Sequence, residues 1–230
     1  MNIDPSEIVY FEWGFVRITA TLVFTWVTML ILAVGSYMVT RKISVEDEIS
    51  EGKISKGQNI LAALVETINN QIKQISRQEP GKYLPFIGTL FIFIFFANVL
   101  SIIPGYISPT GSLNTTIALS LCVFVSVPIY GISDRGIGGY LKEYIKPTFI
   151  MLPFNIISEL SRTLSLAIRL YGNVMSTGII VAILLGVIPL FFPVIIQALG
   201  LLTGVIQAYI FAILAIVYIA SATENKKRKT

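Results

Sequence analysis

TLSLAIRLYGNVMSTGIIVAILLGVIPLFFPVIIQALGLLTGVIQAYIFAILAIVYIASAT, from Thr163 to Thr223, contains a single charged residue, Arg169. About 20 consecutive apolar residues are enough to cross the hydrocarbon core of a bilayer, and this stretch is long enough for two crossings. Pro189-Leu190-Phe191-Phe192-Pro193 marks the turn between its two arms. The first arm is helix-compatible back to residue 148. From 148 to 188 it would reach close to 60 Å at about 1.5 Å per residue, against a core about 30 Å thick. Such a helix must tilt steeply, bend or run partly along the interface. The second arm, about 195–222, ends at the basic run Lys226-Lys227-Arg228-Lys229. Together the arms are expected to form a long, steeply tilted hairpin.

The pattern repeats toward the N-terminus. Ile18 to Thr40 carries no charge and reads as a span of about 18–40. Tyr83 to Ser133 is also uncharged but too long for one crossing, and Pro104-Gly105 to Gly111 splits it by turn chemistry into spans of about 84–104 and 113–131. Between the first and second spans, Ile60, Leu61, Leu64, Val65, Ile68, Ile72 and Ile75 recur at helical spacing in a polar stretch. That is the pattern of an amphipathic helix, about 58–78, lying in the membrane interface. The expected fold class is an all-α polytopic membrane protein. It is a single membrane domain over 1–230, with about five membrane-embedded helices and one interfacial helix.

Composition agrees. Charged residues make up 13% of the 230, about half the soluble norm of roughly a quarter, and mean hydropathy is +0.78. Asp4, Glu7 and Glu12 stand where a cleaved signal would be basic. There is no histidine, and Cys122 is the only cysteine. A disulfide, a thiolate metal site and a Ser-His triad are therefore excluded, and there is no phosphate-cradling glycine loop. No cofactor or metal site is expected. The net charge of +4 does not point to nucleic acid, because the basic residues sit at the ends of apolar runs. The segments after span one, at 133–147 and at the tail are basic, which predicts a cytoplasmic C-terminus and an outer N-terminus.

Arg169 is the candidate functional residue. An arginine at mid-membrane costs roughly 2.5–3.5 kcal/mol on insertion scales, so it is normally kept for a carboxylate, water or substrate. The bland alternative is snorkelling, or pairing within its own helix to Glu159. Glu159, Arg162, Leu166, Arg169 and Asn173 recur at intervals of three or four and share one broad helix face. Ser165 and Asn173 on that face can hold water. Folding the chain about Phe191 sets residue 169 opposite roughly 213 and brings Gln207 into the same zone, within about 9 Å along the axis. A guanidinium does not deprotonate. It cannot shuttle a proton, but it can attract a mobile carboxylate and block ion leak between two aqueous entries.

Four ordered blocks then carry a resemblance. Ser165-Leu166-Ala167-Ile168-Arg169-Leu170-Tyr171-Gly172-Asn173 resembles the Ser-Leu-x-x-Arg-Leu-[Phe/Tyr]-Gly-Asn signature of the a subunits of F-type ATP synthases. Tyr83 to Phe91, Asn114 to Leu119 and Ile206-Gln207-Ala208-Tyr209-Ile210-Phe211 resemble that family's second, third and last spans. The resemblance runs from about residue 57 to the end.

It implies a non-catalytic, ion-translocating stator subunit of the F0 sector in the bacterial inner membrane. Its implied partners are a ring of c subunits, met through their ion-binding carboxylates, the b-subunit peripheral stalk and membrane lipid. Arg169 would separate two half-channels, with Glu159, Ser165, Asn173 and Gln207 as further ion-translocation candidates. Where many members carry an acid or ionisable group, this chain has Gly178, Gly200 and Ser112. The outer half-channel is thus expected to be poor in acids. The N-terminal part is similar to the alternate bacterial branch for which sodium is inferred, and both H+ and Na+ stay open. Glu46, Asp47, Glu48 and Glu51 are a candidate stalk-docking face. The rival reading is a secondary transporter holding an anionic substrate at Arg169; it predicts an internal repeat, and none is found.

Overall fold

A computed structural model describes residues 9–13, 16–40, 56–76, 80–103, 105–145, 149–188 and 191–223. The acidic run Glu46–Glu51 and the tail Lys226–Lys229 lie outside the described residues. The elements run β1 (Val9–Trp13), β2 (Val16–Thr19), α1 (Ala20–Thr40), α2 (Lys56–Ser76), α3 (Leu84–Leu100), α4 (Leu113–Ile145), α5 (Met151–Val187) and α6 (Phe192–Thr223). The molecule is an all-α membrane bundle with a short β-ribbon at its start. Four helices are long and apolar enough to cross a membrane, and α3 is a shorter apolar helix.

The ribbon is antiparallel, with Glu12 opposite Arg17 and Trp13 opposite Val16. The valine- and aromatic-rich sequence of β1 suits a strand, a signal that acidic residues around it obscure. In α2, Ile68 and Ile72 are buried while Val65, Glu66, Thr67 and Lys73 are exposed. This one-sided burial presses the helix against α3 and α6. Pro85 sits in the first turn of α3, where its missing N–H costs no helical bond.

The sequence reading ends the helix of α4 near 131 and treats Ser133–Pro147 as a loop. The structure keeps that segment helical to Ile145, with one break at Gly136, whose φ of 74° and ψ of 161° no L side chain adopts comfortably. The break folds Tyr140 back onto Gly131, so that a β-carbon on Gly131 would lie 2.7 Å from the ring. Arg135 and Lys142, which read as loop charges, belong instead to this helical segment, while Lys146 lies outside the described residues.

The core is built around α6. Ala208, Phe211, Ala212, Ala215, Ile216 and Ile219 are all buried, and α6 packs against α2, α3, α4 and α5. In contrast, α5 buries only Leu166, Ala167 and Leu170 among its described residues. At 37 residues it is about 55 Å long. To stay within a core about 30 Å thick, a straight helix of that length would tilt by about 57°. With α6 it forms the expected long hairpin. At the periphery, α1 exposes Trp26, Leu30, Tyr37 and Met38 and is tied to the bundle by Thr28 Oγ1, 2.6 Å from the Tyr106 hydroxyl.

The two ends of the bundle differ. One holds the 108–111 turn and the α5–α6 turn; the other holds Asp134, the cap 137–145 and Thr223. At this second end Lys82 Nζ lies 3.2 Å from Asp134 Oδ1, and the Tyr83 hydroxyl donates to Asp134 Oδ2 at 2.9 Å.

Candidate functional site

Arg169 lies at the midpoint of α5, one residue from buried Leu170, and is exposed. Among the described residues no carboxylate pairs with it. Glu159 is ten residues, about 15 Å, back along the helix, so the in-helix pairing weighed above is not made. The face inferred from spacing is divided. Leu166 turns inward at 1% exposure, Arg162, Ser165 and Arg169 turn outward, and Glu159 and Asn173 are half-buried. The reason is geometric: the five spaced residues fall within about 80° of arc, and the edge of the helix's contact with its neighbours runs through it.

Contacts between α5 and α6 give their register. A β-carbon on Gly200 would overlap Thr177 Cγ2, so these two residues sit side by side. Antiparallel packing then brings Arg169, eight residues before Thr177, level with residue 208. Independently, the Arg162 guanidinium stands 5.6 Å from the centroid of the Tyr218 ring, which sets Arg169 level with residue 211. Position 213, expected from a hairpin about Phe191, is a few residues too far along, because Phe192 already begins α6 and the turn is tighter. Gln207 is one to four residues from the true level, about 1.5–6 Å along the axis. It is 6% exposed, and its Nε2 has no hydrogen-bond partner among the described residues.

Two clefts open on the α5–α6 pair. The first, about 330 Å³, lies at the Asp134 end, and its lining includes Glu159, Arg162, Asn155, Arg135, Tyr140 and Tyr218. The second, about 350 Å³, lies at the end of the 108–111 turn, and its polar lining includes Asn98, Ser101, Tyr106, Ser108, Thr177 and Gln197. Among the described residues no carboxylate lines it; Gly178 and Gly200 do. One cleft reaches α5 as far as Thr163 and the other begins at Val174. Arg169 stands in the gap between them and lines neither. No cluster of metal-binding side chains occurs among the described residues.

Arg169 thus stands between two clefts along α5, and comparison with known proteins gives one family for the chain. The family model described as ATP synthase A chain matches residues 22–220. The chain belongs to the ATP synthase A chain family. It is 55% identical over 229 residues to an ATP synthase subunit a of Albidiferax ferrireducens, covering 100% of this chain and 97% of the relative. It is 55% identical over 230 residues to an ATP synthase subunit a 1 of Crocosphaera subtropica, covering 100% and 98%. Over 225 residues it is 49% identical to an ATP synthase subunit a of Nitrosospira multiformis, covering 98% and 88%. As a member of the ATP synthase A chain family it is a multi-pass membrane subunit of the F0 sector, and the secondary-transporter reading is not favoured.

Sequence reasoning passed over three parts of this site. Asn98 is a lone amide in the apolar run Phe91–Leu100, a signal that was available. Thr177 carries no chemistry of its own, and only its packing on Gly200, a position named from sequence for the ionisable group it lacks, reveals it. Arg135 and Tyr140 were read as loop residues, and the cap after Gly136 brings them to the first cleft.

Proposed function

We propose that this chain is the stator against which a c-ring turns, with the cleft at the 108–111 end as the outer half-channel and the cleft at Glu159 as the cytoplasmic one. The observation that carries this reading is the gap between the clefts and the single exposed guanidinium in it. An ion cannot pass directly from one cleft to the other past a fixed positive charge in a low-dielectric setting. It must instead leave on a carrier.

A ring carboxylate is the matching carrier. As it nears Arg169 it is drawn into the charged form and releases its ion to one cleft; past Arg169 it is reloaded from the other. Gln207, within four residues of that level and buried with its Nε2 unpartnered among the described residues, is assigned to the same zone, and Ser165 and Asn173 bracket Arg169 on α5. Glu159 in the cytoplasmic cleft provides an acid on that path. The outer face of α5, from Phe154 through Leu160 and Leu164 to Ile168 and Ile180, is apolar and exposed, as suits contact with a ring helix and with lipid. The b-subunit stalk is assigned to the acidic run Glu46–Glu51. The basic segments put the C-terminus in the cytoplasm and the N-terminus outside, in a bacterial inner membrane. The driving force is ample, since a charge crossing 100 mV is worth about 2.3 kcal/mol.

The test is ATP-driven ion uptake by the reconstituted complex, wild type against Arg169→Ala, with and without sodium. Loss of coupled uptake in an assembled mutant supports Arg169 as the partition, and the sodium dependence of the wild type names the ion. Normal pumping by Arg169→Ala would overturn the reading.

A further inference from the structure

We propose that Asn98 is a positioning residue for ion transfer: its carboxamide clamps the backbone of α6 at Gly204 and so holds Gln207 at the level of Arg169. The proposal rests on the reading that Arg169 and Gln207 form the transfer zone.

Asn98 is 3% exposed, near the end of α3. Its Nδ2 donates to the Gly204 carbonyl at 2.8 Å, and its Oδ1 accepts from Thr110 Oγ1 at 2.8 Å. Thr110 Oγ1 lies 2.8 Å from Ser108 Oγ, whose single proton is shared between Thr110 and the Ala97 carbonyl at 3.1 Å. The chain of bonds thus closes on the backbone of α3 beside the residue where it began. The orientation of the amide is fixed from both sides, since Oδ1 has a donor and Nδ2 an acceptor.

Gly204 admits this contact because it has no side chain. A β-carbon there would lie 3.1 Å from Asn98 Cβ and 3.2 Å from its Cγ and Nδ2. Three residues on, Gln207 lies about 4.5 Å further along the helix and on nearly the same side. Because the Gln207 Nε2 is buried and has no partner among the described residues, no bond from that amide nitrogen to them fixes the side chain, and its position is inherited from the helix. Among contacts to α6, the Asn98 bond is the polar one nearest to it. It sets both height and rotation of the turn that carries Gln207.

The experiment is ATP-driven uptake by the reconstituted complex across pH for Asn98→Asp, Asn98→Ala, Gln207→Ala and the Asn98→Ala/Gln207→Ala double variant, at matched assembly. A protonated aspartic acid donates to the Gly204 carbonyl as the amide does; an ionised one sets two acceptors face to face. Among residues lining that cleft Tyr106 is the one other titratable group, and its hydroxyl is engaged with Thr28. Expected is near wild-type uptake of Asn98→Asp at the acid end, falling roughly tenfold as pH rises, the cost of an unsatisfied buried pair. Asn98→Ala is expected to be low at every pH, and the double variant no worse than Gln207→Ala. A wild-type pH profile for Asn98→Asp, a rise of its uptake with pH, or defects that multiply in the double variant would overturn the proposal. If Asn98→Asp fails to assemble, Gly204→Ala replaces it: lowered uptake not worsened by Gln207→Ala is expected, and unchanged uptake overturns the clamp. Wild-type pumping by Gln207→Ala sinks the transfer-zone reading itself, and the positioning proposal with it. An impaired Gln207→Ala beside an indifferent Asn98→Asp sinks only the positioning.

Discussion

Thr177 on α5 and Gly200 on α6 touch so closely that a β-carbon on Gly200 would overlap the threonine methyl. This contact, at the edge of the cleft beside the 108–111 turn, sets the register of the helix pair that carries Arg169 and Gln207.

Gly200→Ala is therefore expected to destabilise the assembled complex by about 1–3 kcal/mol, the usual cost of overpacking. Thr177→Ser removes the offending methyl and should restore most of the loss. Thermal unfolding of the purified complex, single variants against the pair, checks this; an unrelieved pair would mean that the two helices meet elsewhere.

Glu159→Gln is expected to lower ATP-driven uptake several-fold while leaving stability within about 0.5 kcal/mol of wild type, as for a substitution away from core packing. Glu159 is half-buried on the wall of the Asp134-end cleft. Uptake equal to wild type would remove it from the ion path.

At that same end, Tyr83→Phe should cost more than Lys82→Ala. The Tyr83 hydroxyl is part-buried and donates to a carboxylate, a bond worth about 1.5–3 kcal/mol. The Lys82 side chain is 70% exposed, where an ion pair contributes about 0–1 kcal/mol. Melting temperatures of the two variants rank them directly.

Burial first, and then the hydrogen bond to Asp134, push the Tyr83 phenol up to about 12. An acid whose folded value lies above its unfolded value contributes stability that is complete below the unfolded value, about 10. That contribution is lost as pH rises through the folded value. Stability attributable to Tyr83 should thus be flat up to pH 10 and decline between about 10 and 12. Phenolate absorbance of wild type minus Tyr83→Phe gives the titration; a midpoint near 10 would contradict the environment described.

The spans were legible because lipid demands long uncharged runs, and Arg169 because a charge inside such a run is expensive. The register of the hairpin was legible only to within a few residues. Counting from a proline-flanked turn ignores where α6 begins, and the deciding contacts, Thr177 with Gly200 and Arg162 with Tyr218, join types that pair in no obligatory way. The helical cap after Gly136 escaped because aspartate, arginine and glycine in sequence spell a loop, while at a membrane surface they also suit a broken helix. The β-ribbon escaped because its strands are only five and four residues long. Asn98 was hidden by weight of numbers: one amide among phenylalanines and isoleucines reads as tolerated polarity until its two partners are seen.

The sparse burial of α5 has a consequence for how such a chain is made. A helix that turns Arg169 and a row of large apolar side chains outward is only half of an interface. Until a partner covers it, the guanidinium faces acyl chains at a standing cost of a few kcal/mol. The newly inserted chain is thus the least comfortable form of the molecule, prone to sink, tilt or be taken by a protease. Its lifetime alone in the membrane should be short, and docking of a partner on this face sets the moment at which it becomes a durable part.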